Sequence, residues 1–115
     1  MEELLEKYKL SAGEQRIVDR WLAEYAVWAE RINRAGLSGD KAKTADLIAA
    51  MKKKLPYGIA EFCGDEIGIR KLLATVSRDR GRFDAGSLER LLQYRRDALK
   101  KLLKRLPDDE LAKWR

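Results

Sequence analysis

The chain has 115 residues, enough for one domain with a core of its own. Charged residues make up 38% of it, against the usual ~25%, and the formal net charge is +6. It has no histidine and only one cysteine, which excludes intramolecular disulfides and the common tetrahedral metal sites. No apolar run approaches the ~18 residues of a membrane span. We therefore expect a cytoplasmic protein without metal or other cofactors.

Apolar residues recur at helical spacing and show no sustained alternation. This pattern predicts an all-α fold, a single-domain bundle of four to five main helices with short loops over residues 1–115. Residues 1–10 are expected to form a short N-terminal helix or arm. Residues 107–115, after Pro107, are expected to form a short C-terminal helix whose Leu111 and Trp114 fold back on the body.

The first long helix is predicted over residues 11–35. Ser11 and Glu14 have the spacing of a capping box, in which each side chain accepts a hydrogen bond from the other residue's backbone amide. Gly36 is expected to end the helix in a left-handed conformation, with Leu37 making the accompanying hydrophobic contact. The aromatic stripe of this helix could serve as a ligand or base-stacking platform, but large aromatics at helical spacing are typical of small cores, so we expect a core role. The stripe consists of Trp21, Tyr25 and Trp28.

The next helix is predicted over residues 39–55, opened by Ser38 or Asp40 and ended by Pro56. The run Lys52-Lys53-Lys54 lies in its last turn, where cations favour the helix dipole. These lysines could contact an anion, but a solvated helix end is the favoured interpretation.

The segment 58–74 has two interpretations. A short helix closed by Gly64, followed by a helix over 65–78 that Asp65 caps, has the arrangement of a helix-turn-helix. Asp65 and Glu66 would repel phosphate at the start of a reading helix, so a tight helical corner is favoured. Gly68 is expected to mark a close helix crossing.

Catalysis has little support in the sequence. Without histidine the commonest general base is missing, and Cys63 lies in an apolar turn and is expected to be buried. The adjacent carboxylates Asp65-Glu66 and Asp108-Asp109 are better explained as charges at helix N-termini. We therefore predict that the protein is not an enzyme.

Residues 77–105 carry ten basic and four acidic side chains, so the excess positive charge lies in one quarter of the chain. A helix predicted over 87–106 places its leucines on one face and most of its cations elsewhere. Arg95 interrupts the leucine stripe and is expected to extend along it towards solvent. The long helix 11–35 is expected to pack directly against this basic helix, with the other two completing the core. The candidate binding residues are Arg78, Arg80, Arg82, Arg90, Arg96, Lys100, Lys101, Lys104 and Arg105.

This basic surface predicts a non-catalytic protein that contacts the phosphate backbone of RNA or DNA with weak sequence preference, as a small subunit of a larger nucleoprotein complex. The alternative is a protein-interaction module, an adaptor or inhibitor that docks its basic face on an acidic partner. A plain solvated face with helical ion pairs also fits the pattern. A membrane-surface helix is the least favoured interpretation, because the leucines are needed for the protein's own core.

Overall fold

The computed structural model describes residues 2–115, with Arg80 described by its backbone alone. Within these residues it is built from helices, and the all-α prediction is confirmed. The helices are α1 (Glu2–Lys7), α2 (Ala12–Leu37), α3 (Lys41–Lys54), α4 (Ile59–Arg78), α5 (Ala85–Arg105) and α6 (Asp108–Ala112), with a 3-10 turn at Arg80–Arg82 before α5.

The start of α2 is confirmed, but its predicted end is wrong. Ser11 Oγ accepts a hydrogen bond from the Glu14 amide at 3.1 Å, and Glu14 Oε1 accepts one from the Ser11 amide at 2.8 Å. The helix continues through Gly36, and the left-handed residue is Gly39, with a φ of +77°. Leu37 is 89% exposed, so the predicted hydrophobic contact is absent. A single glycine costs a helix only about 1 kcal/mol, which hydrogen bonding of the following turn can offset.

The connection from α3 to α4 is a tight left-handed turn. The helix begins at the Asp40 cap, whose side chain accepts from the Lys43 amide at 2.9 Å, and it ends before Pro56 as predicted. Tyr57 has a φ of +63° and Gly58 a φ of +87°. Glycine adopts this region freely, but a non-glycine residue there stores about 1–3 kcal/mol of strain.

One continuous helix, α4, covers the segment for which two helices were predicted. Gly64 and Asp65 lie inside it, so the structure contains no helix-turn-helix at 58–74, and the predicted helix start at Asp65 is wrong. The physical reason is that the inward positions keep steps of three and four residues through the glycine, so burial along one face outweighs its low helix propensity. An added Cβ at Gly68 would meet nothing within 4 Å, which also contradicts the predicted close crossing there.

Helix α4 occupies the centre of the molecule. The principal helix contacts join α2 to α3, α2 to α4 and α4 to α5. The predicted direct packing of α2 against α5 is therefore wrong in the described part of the chain, because α4 lies between them. Helices α4 and α5 run antiparallel, since Glu66 contacts Arg95 while Gly58, near the start of α4, approaches Leu102 near the end of α5.

The core is divided into two clusters. The larger draws on α2, α3, α4 and α5 and includes the fully buried Trp21, Leu55, Ile59 and Leu99. The smaller joins Tyr8 to Val76, Leu88 and Leu92. The molecule measures 46 × 36 × 18 Å, and its thin direction has room for only two layers of helices, each ~10 Å across. This flatness leaves few positions that neighbours cover on all sides.

The aromatic and C-terminal predictions are confirmed in their main points. Trp21 is buried and packs edge-on against Phe62, with ring centroids 5.8 Å apart. Tyr25 and Trp28 are only partly buried, although both pack against the larger cluster. Trp114 folds back from the C-terminus into the same cluster. None of the described helices has the length and apolar character needed to cross a membrane.

Candidate nucleic-acid interface

Helix α5 separates its leucines from its cations as the sequence predicts. Asp84 caps the helix by accepting hydrogen bonds from the Ser87 amide and the Ser87 hydroxyl, both at 3.0 Å. These hydrogen bonds lower the pKa of the Asp84 carboxyl. The inward face carries Leu88, Leu92, Leu99 and Leu102. The remaining faces of α5 hold the predicted binding residues between Arg90 and Arg105, and the structure gives these residues different surroundings.

Arg96 is engaged inside the protein. Its guanidinium lies over the Tyr8 ring, 4.5 Å from the centroid, and donates a hydrogen bond to the Lys7 carbonyl. Beside it, Glu89 accepts hydrogen bonds from the Tyr8 hydroxyl at 2.9 Å and from Lys7 Nζ at 3.4 Å, which lower the pKa of Glu89. These contacts fasten α1 to α5. Arg96 therefore serves the fold, and it is only half-buried.

The N-terminal part of the predicted surface carries few cations. Arg90 is exposed and donates to Ser87 Oγ at 3.3 Å. Arg78 and Arg82 are exposed, and in the described part of the chain their side chains have neither a hydrogen bond nor an ion pair. The predicted contact through the Arg80 side chain lies outside the described residues.

The last two turns of α5 concentrate the available positive charge. Four cations here are exposed, and among the described residues their side chains have neither a hydrogen bond nor an ion pair. They are Lys100, Lys101, Lys104 and Arg105. Cations are favoured at this position by the helix dipole, so they cost the fold little. Since their side chains have no partner in the described part of the chain, they are available to contact an external anion.

The end of α3 adds three more cations to the same end of the molecule. Lys52, Lys53 and Lys54 are exposed and follow Met51, which shares the larger cluster with Leu102. Gly58, four residues after Lys54, lies close to the end of α5, since an added Cβ there would be 3.7 Å from Leu102 Cδ2. We call the seven residues Lys52, Lys53, Lys54, Lys100, Lys101, Lys104 and Arg105 the basic end.

Sequence reasoning missed this juxtaposition. The three lysines before Pro56 are conspicuous in the sequence, but nothing in it places them beside residues 100–105. The structure brings the two segments near each other through Gly58 and Leu102, which lie far apart along the chain.

The basic end is not uniformly positive. Asp108 and Asp109 are exposed in the first turn of α6, directly after α5. Glu110 pairs with Lys113 at 3.1 Å and accepts from the Trp114 indole at 3.4 Å. Lys53 and Lys54 line one cavity together with Glu110 and Lys113, so cations and carboxylates are mixed on this side.

A groove of about 240 Å³ lies between α4 and α5 and opens next to the basic end. Its floor is largely apolar and includes Phe62, Ile69 and Leu102. Its α5 wall carries Lys101 and Arg105, whereas its α4 wall carries Glu61 and Asp65. Tyr57 and Tyr94 also line it and are 43% and 58% exposed. We call this cavity the tyrosine groove.

A buried charge network lies behind the groove and corrects two predictions. Glu66 is 1% exposed, and its Oε2 accepts from Arg70 Nε at 3.0 Å and pairs with Arg95 Nη1 at 3.6 Å. Arg95 is also buried and donates to the Tyr8 carbonyl at 3.2 Å. Glu66 is therefore not a charge at a helix N-terminus, and Arg95 does not reach solvent, because the two neutralise each other between the core clusters.

The network extends to α2 through Arg70. Its Nη2 donates to Asp19 Oδ1 at 2.9 Å, and this hydrogen bond lowers the pKa of Asp19. Glu66 Oε1 and Arg95 Nε remain without a partner among the described residues. Leaving such groups unpaired costs free energy, so the network is a polar interruption of the core.

Cys63 is fully buried, as predicted. Burial, with a smaller effect from Glu66, raises the pKa of its thiol to about 12, so a nucleophilic thiolate is strongly disfavoured.

Among the described residues, no three carboxylate or thiol side chains cluster closely enough to hold a metal ion. Comparison with protein families, with curated proteins and with solved structures gave no match to this chain.

Proposed function

We propose that the protein is a non-catalytic nucleic-acid-binding protein that contacts the phosphate backbone through its basic end. The observation that carries the proposal is the set of seven exposed cations in the last turns of α3 and α5, whose side chains have no hydrogen bond or ion pair among the described residues. Lysine and arginine side chains that replace the counterions of phosphates provide most of the affinity of sequence-independent binding. The buried thiol of Cys63 and the absence of histidine support a non-catalytic role.

This proposal shifts the predicted surface towards the C-terminal end of α5. Lys100, Lys101, Lys104 and Arg105 remain contact residues, while Arg78, Arg82 and Arg90 extend the surface towards the other end of the helix. Arg96 is left out, because its guanidinium holds α1. A helix of 21 residues is about 30 Å long, so the full surface could follow several nucleotides.

The first experiment measures binding as a function of salt. Fluorescence anisotropy with labelled RNA and DNA strands, single and double, should show binding at ~50 mM salt. If about four phosphates are contacted, the logarithm of the affinity for duplex DNA should fall with the logarithm of salt concentration with a slope of about −3 to −4. Absence of binding to every strand at this salt concentration would exclude the proposal.

A matched pair of charge reversals tests the location of the surface. The variant Lys101→Glu/Lys104→Glu/Arg105→Glu should lose about tenfold or more in affinity, and its salt slope should flatten by about 3. The control Lys41→Glu/Lys43→Glu/Lys71→Glu changes the net charge equally at exposed positions outside the basic end. Equal losses in both variants would mean that net charge, rather than this surface, drives binding.

One observation favours the second candidate function, docking on an acidic protein. Acidic side chains lie beside the cations, with Asp108 and Asp109 next to Arg105, and a mixed surface of this kind suits a protein partner that carries both signs of charge. Co-purification separates the two proposals. Nucleic acid should accompany the native protein and leave in a high-salt wash, whereas a protein partner would be identified by mass spectrometry of the same eluate.

A further inference from the structure

The tyrosine groove has features that a backbone-binding surface does not need. Its two walls carry opposite charges, Lys101 and Arg105 on one side and Glu61 and Asp65 on the other. A uniform phosphate track would be expected to carry cations on both sides. The groove therefore fits a ligand that has an anionic part and a hydrogen-bond-donating part a short distance apart.

The aromatic residues narrow the class of ligand. Tyr57 and Tyr94 are the only tyrosines among the described residues that are largely exposed, and both line this groove. Tyr57 has a left-handed backbone, a conformation that is strained for tyrosine and would be unstrained for glycine. Tyr94 donates to Asp65 Oδ2 at 3.5 Å, which links the ring to the acidic wall. An exposed tyrosine ring is a surface on which an unpaired nucleobase stacks.

The carboxylates suit the edge of a base. Carboxylate oxygens are acceptors, and they pair with the exocyclic amino groups of bases such as cytosine. Uracil and thymine present a carbonyl oxygen at the corresponding position of the ring and would be repelled. At about 240 Å³ the groove is smaller than typical small-molecule sites of ~300–1,000 Å³, which limits it to a ligand about as large as one ring.

We propose that the tyrosine groove receives one unpaired nucleotide of a single-stranded nucleic acid and prefers bases that carry an amino group. The base stacks on tyrosine, its amino edge faces Glu61 and Asp65, and its phosphate lies on Lys101 and Arg105. Duplexes hide these edges in base pairs, so single strands bind more tightly than duplexes of the same length. This inference rests on the proposed function and adds a choice of strand and base to it.

The test compares two strands that differ in one ring substituent. Anisotropy is measured near neutral pH at ~50 mM salt with labelled oligomers of about 12 nucleotides, deoxycytidine against deoxyuridine. The wild type should bind the cytidine strand about tenfold more tightly, as expected for one well-placed contact to a base edge. The variant Glu61→Gln/Asp65→Asn should lose this preference without losing affinity for the uridine strand.

A second pair of variants isolates the stacking contribution. Tyr94→Ala should weaken binding of both single strands by about tenfold, whereas Tyr94→Phe keeps the ring and should bind like the wild type. Because Tyr94 is largely exposed, both variants should fold, and their thermal melting serves as the control.

The possible failures are distinguishable. If both strands bind equally and Tyr94→Ala binds like the wild type, while the triple charge reversal at the basic end still weakens binding, the groove proposal is wrong and the proposed function stands. If no strand binds, both fail together.

Discussion

Glu66 and Arg95 are charged residues at positions where α4 and α5 need apolar side chains. Each is buried, and each has an atom without a partner in the described part of the chain. Glu66 lies 3.6 Å from Arg95 and is the only ion-pair partner of that guanidinium among the described residues, whereas Glu66 itself also pairs with Arg70 at 3.0 Å. A buried pair of this kind adds little net stability, but its loss on one side leaves an uncompensated charge.

This asymmetry predicts the effect of removing one partner. Glu66→Gln should lower the free energy of unfolding by about 3–5 kcal/mol, because the Arg95 guanidinium would remain buried without its carboxylate. Urea unfolding followed by circular dichroism measures the change. Asp65→Asn is the matched control, since Asp65 is exposed on the same helix and should change stability by less than about 0.5 kcal/mol.

Removing both partners gives a sharper test. Glu66→Leu/Arg95→Met should be less destabilised than the sum of its two single variants, because neither charge remains in the core. If the single variants each cost under about 1 kcal/mol, the pair would not be the buried network described above.

At the scale of elements, the end of α2 raises the question of which of two glycines terminates a helix. Gly36 and Gly39 both satisfy the pattern of a C-terminal glycine, and only their backbone conformations distinguish them. Gly39 is left-handed, whereas Gly36 is helical, and an added Cβ meets nothing within 4 Å at either position. Backbone conformation therefore separates the two sites, since neighbouring residues would contact a side chain at neither of them.

The two alanine variants should shift stability in opposite directions. Gly36→Ala should raise the free energy of unfolding by up to about 1 kcal/mol, because alanine loses less backbone entropy in a helix. Gly39→Ala should lower it by about 1 kcal/mol, because alanine is strained at positive φ. Thermal or urea unfolding measures both. A stabilising Gly39→Ala would contradict the left-handed conformation at Gly39, and a destabilising Gly36→Ala would contradict the helical one at Gly36.

At the scale of the whole molecule, the flat arrangement leaves much of the joining between elements to side chains at the surface. Asp19 joins α2 to α4 through Arg70, and Glu89 joins α5 to α1 through Tyr8 and Lys7. Asp84 caps α5. All three carboxylates have a lowered pKa, so acid should weaken the molecule where its parts are joined.

The direction in which stability changes with pH follows from the difference between the folded and unfolded pKa values. A carboxylate with a lowered folded pKa contributes stability that is present above its ordinary value of 3.8 to 4.5 and is lost as pH falls through the folded pKa. Urea midpoints should therefore change little between about pH 7 and pH 5 on account of these groups and fall towards pH 3. Asp84→Asn keeps a capping acceptor that does not titrate, so its acid loss should be smaller. If the wild type were as stable near pH 3 as near pH 7, the hydrogen bonds assigned to these carboxylates would be contradicted.

The amino-acid sequence by itself determined the features that depend on near neighbours along the chain. Helical periodicity alone predicted an all-α fold and the leucine face of α5, and the spacing of Ser11 and Glu14 predicted the start of α2. The apolar surroundings of Cys63 predicted its burial. These follow from interactions within a few residues, which local sequence records directly.

Only the tertiary structure decided which distant residues meet. Glu66 and Arg95 each look misplaced on their own helix, and their pairing exists because α4 and α5 cross antiparallel at that point. The chain that follows the lysines at 52–54 comes near the end of α5 because Gly58 lies beside Leu102. Such contacts depend on packing between segments roughly 30 to 45 residues apart. Burial along α4 also outweighed the local helix-breaking signal of its glycines. The candidate interface is therefore a property of the packed molecule, although most of its cations were visible in the sequence.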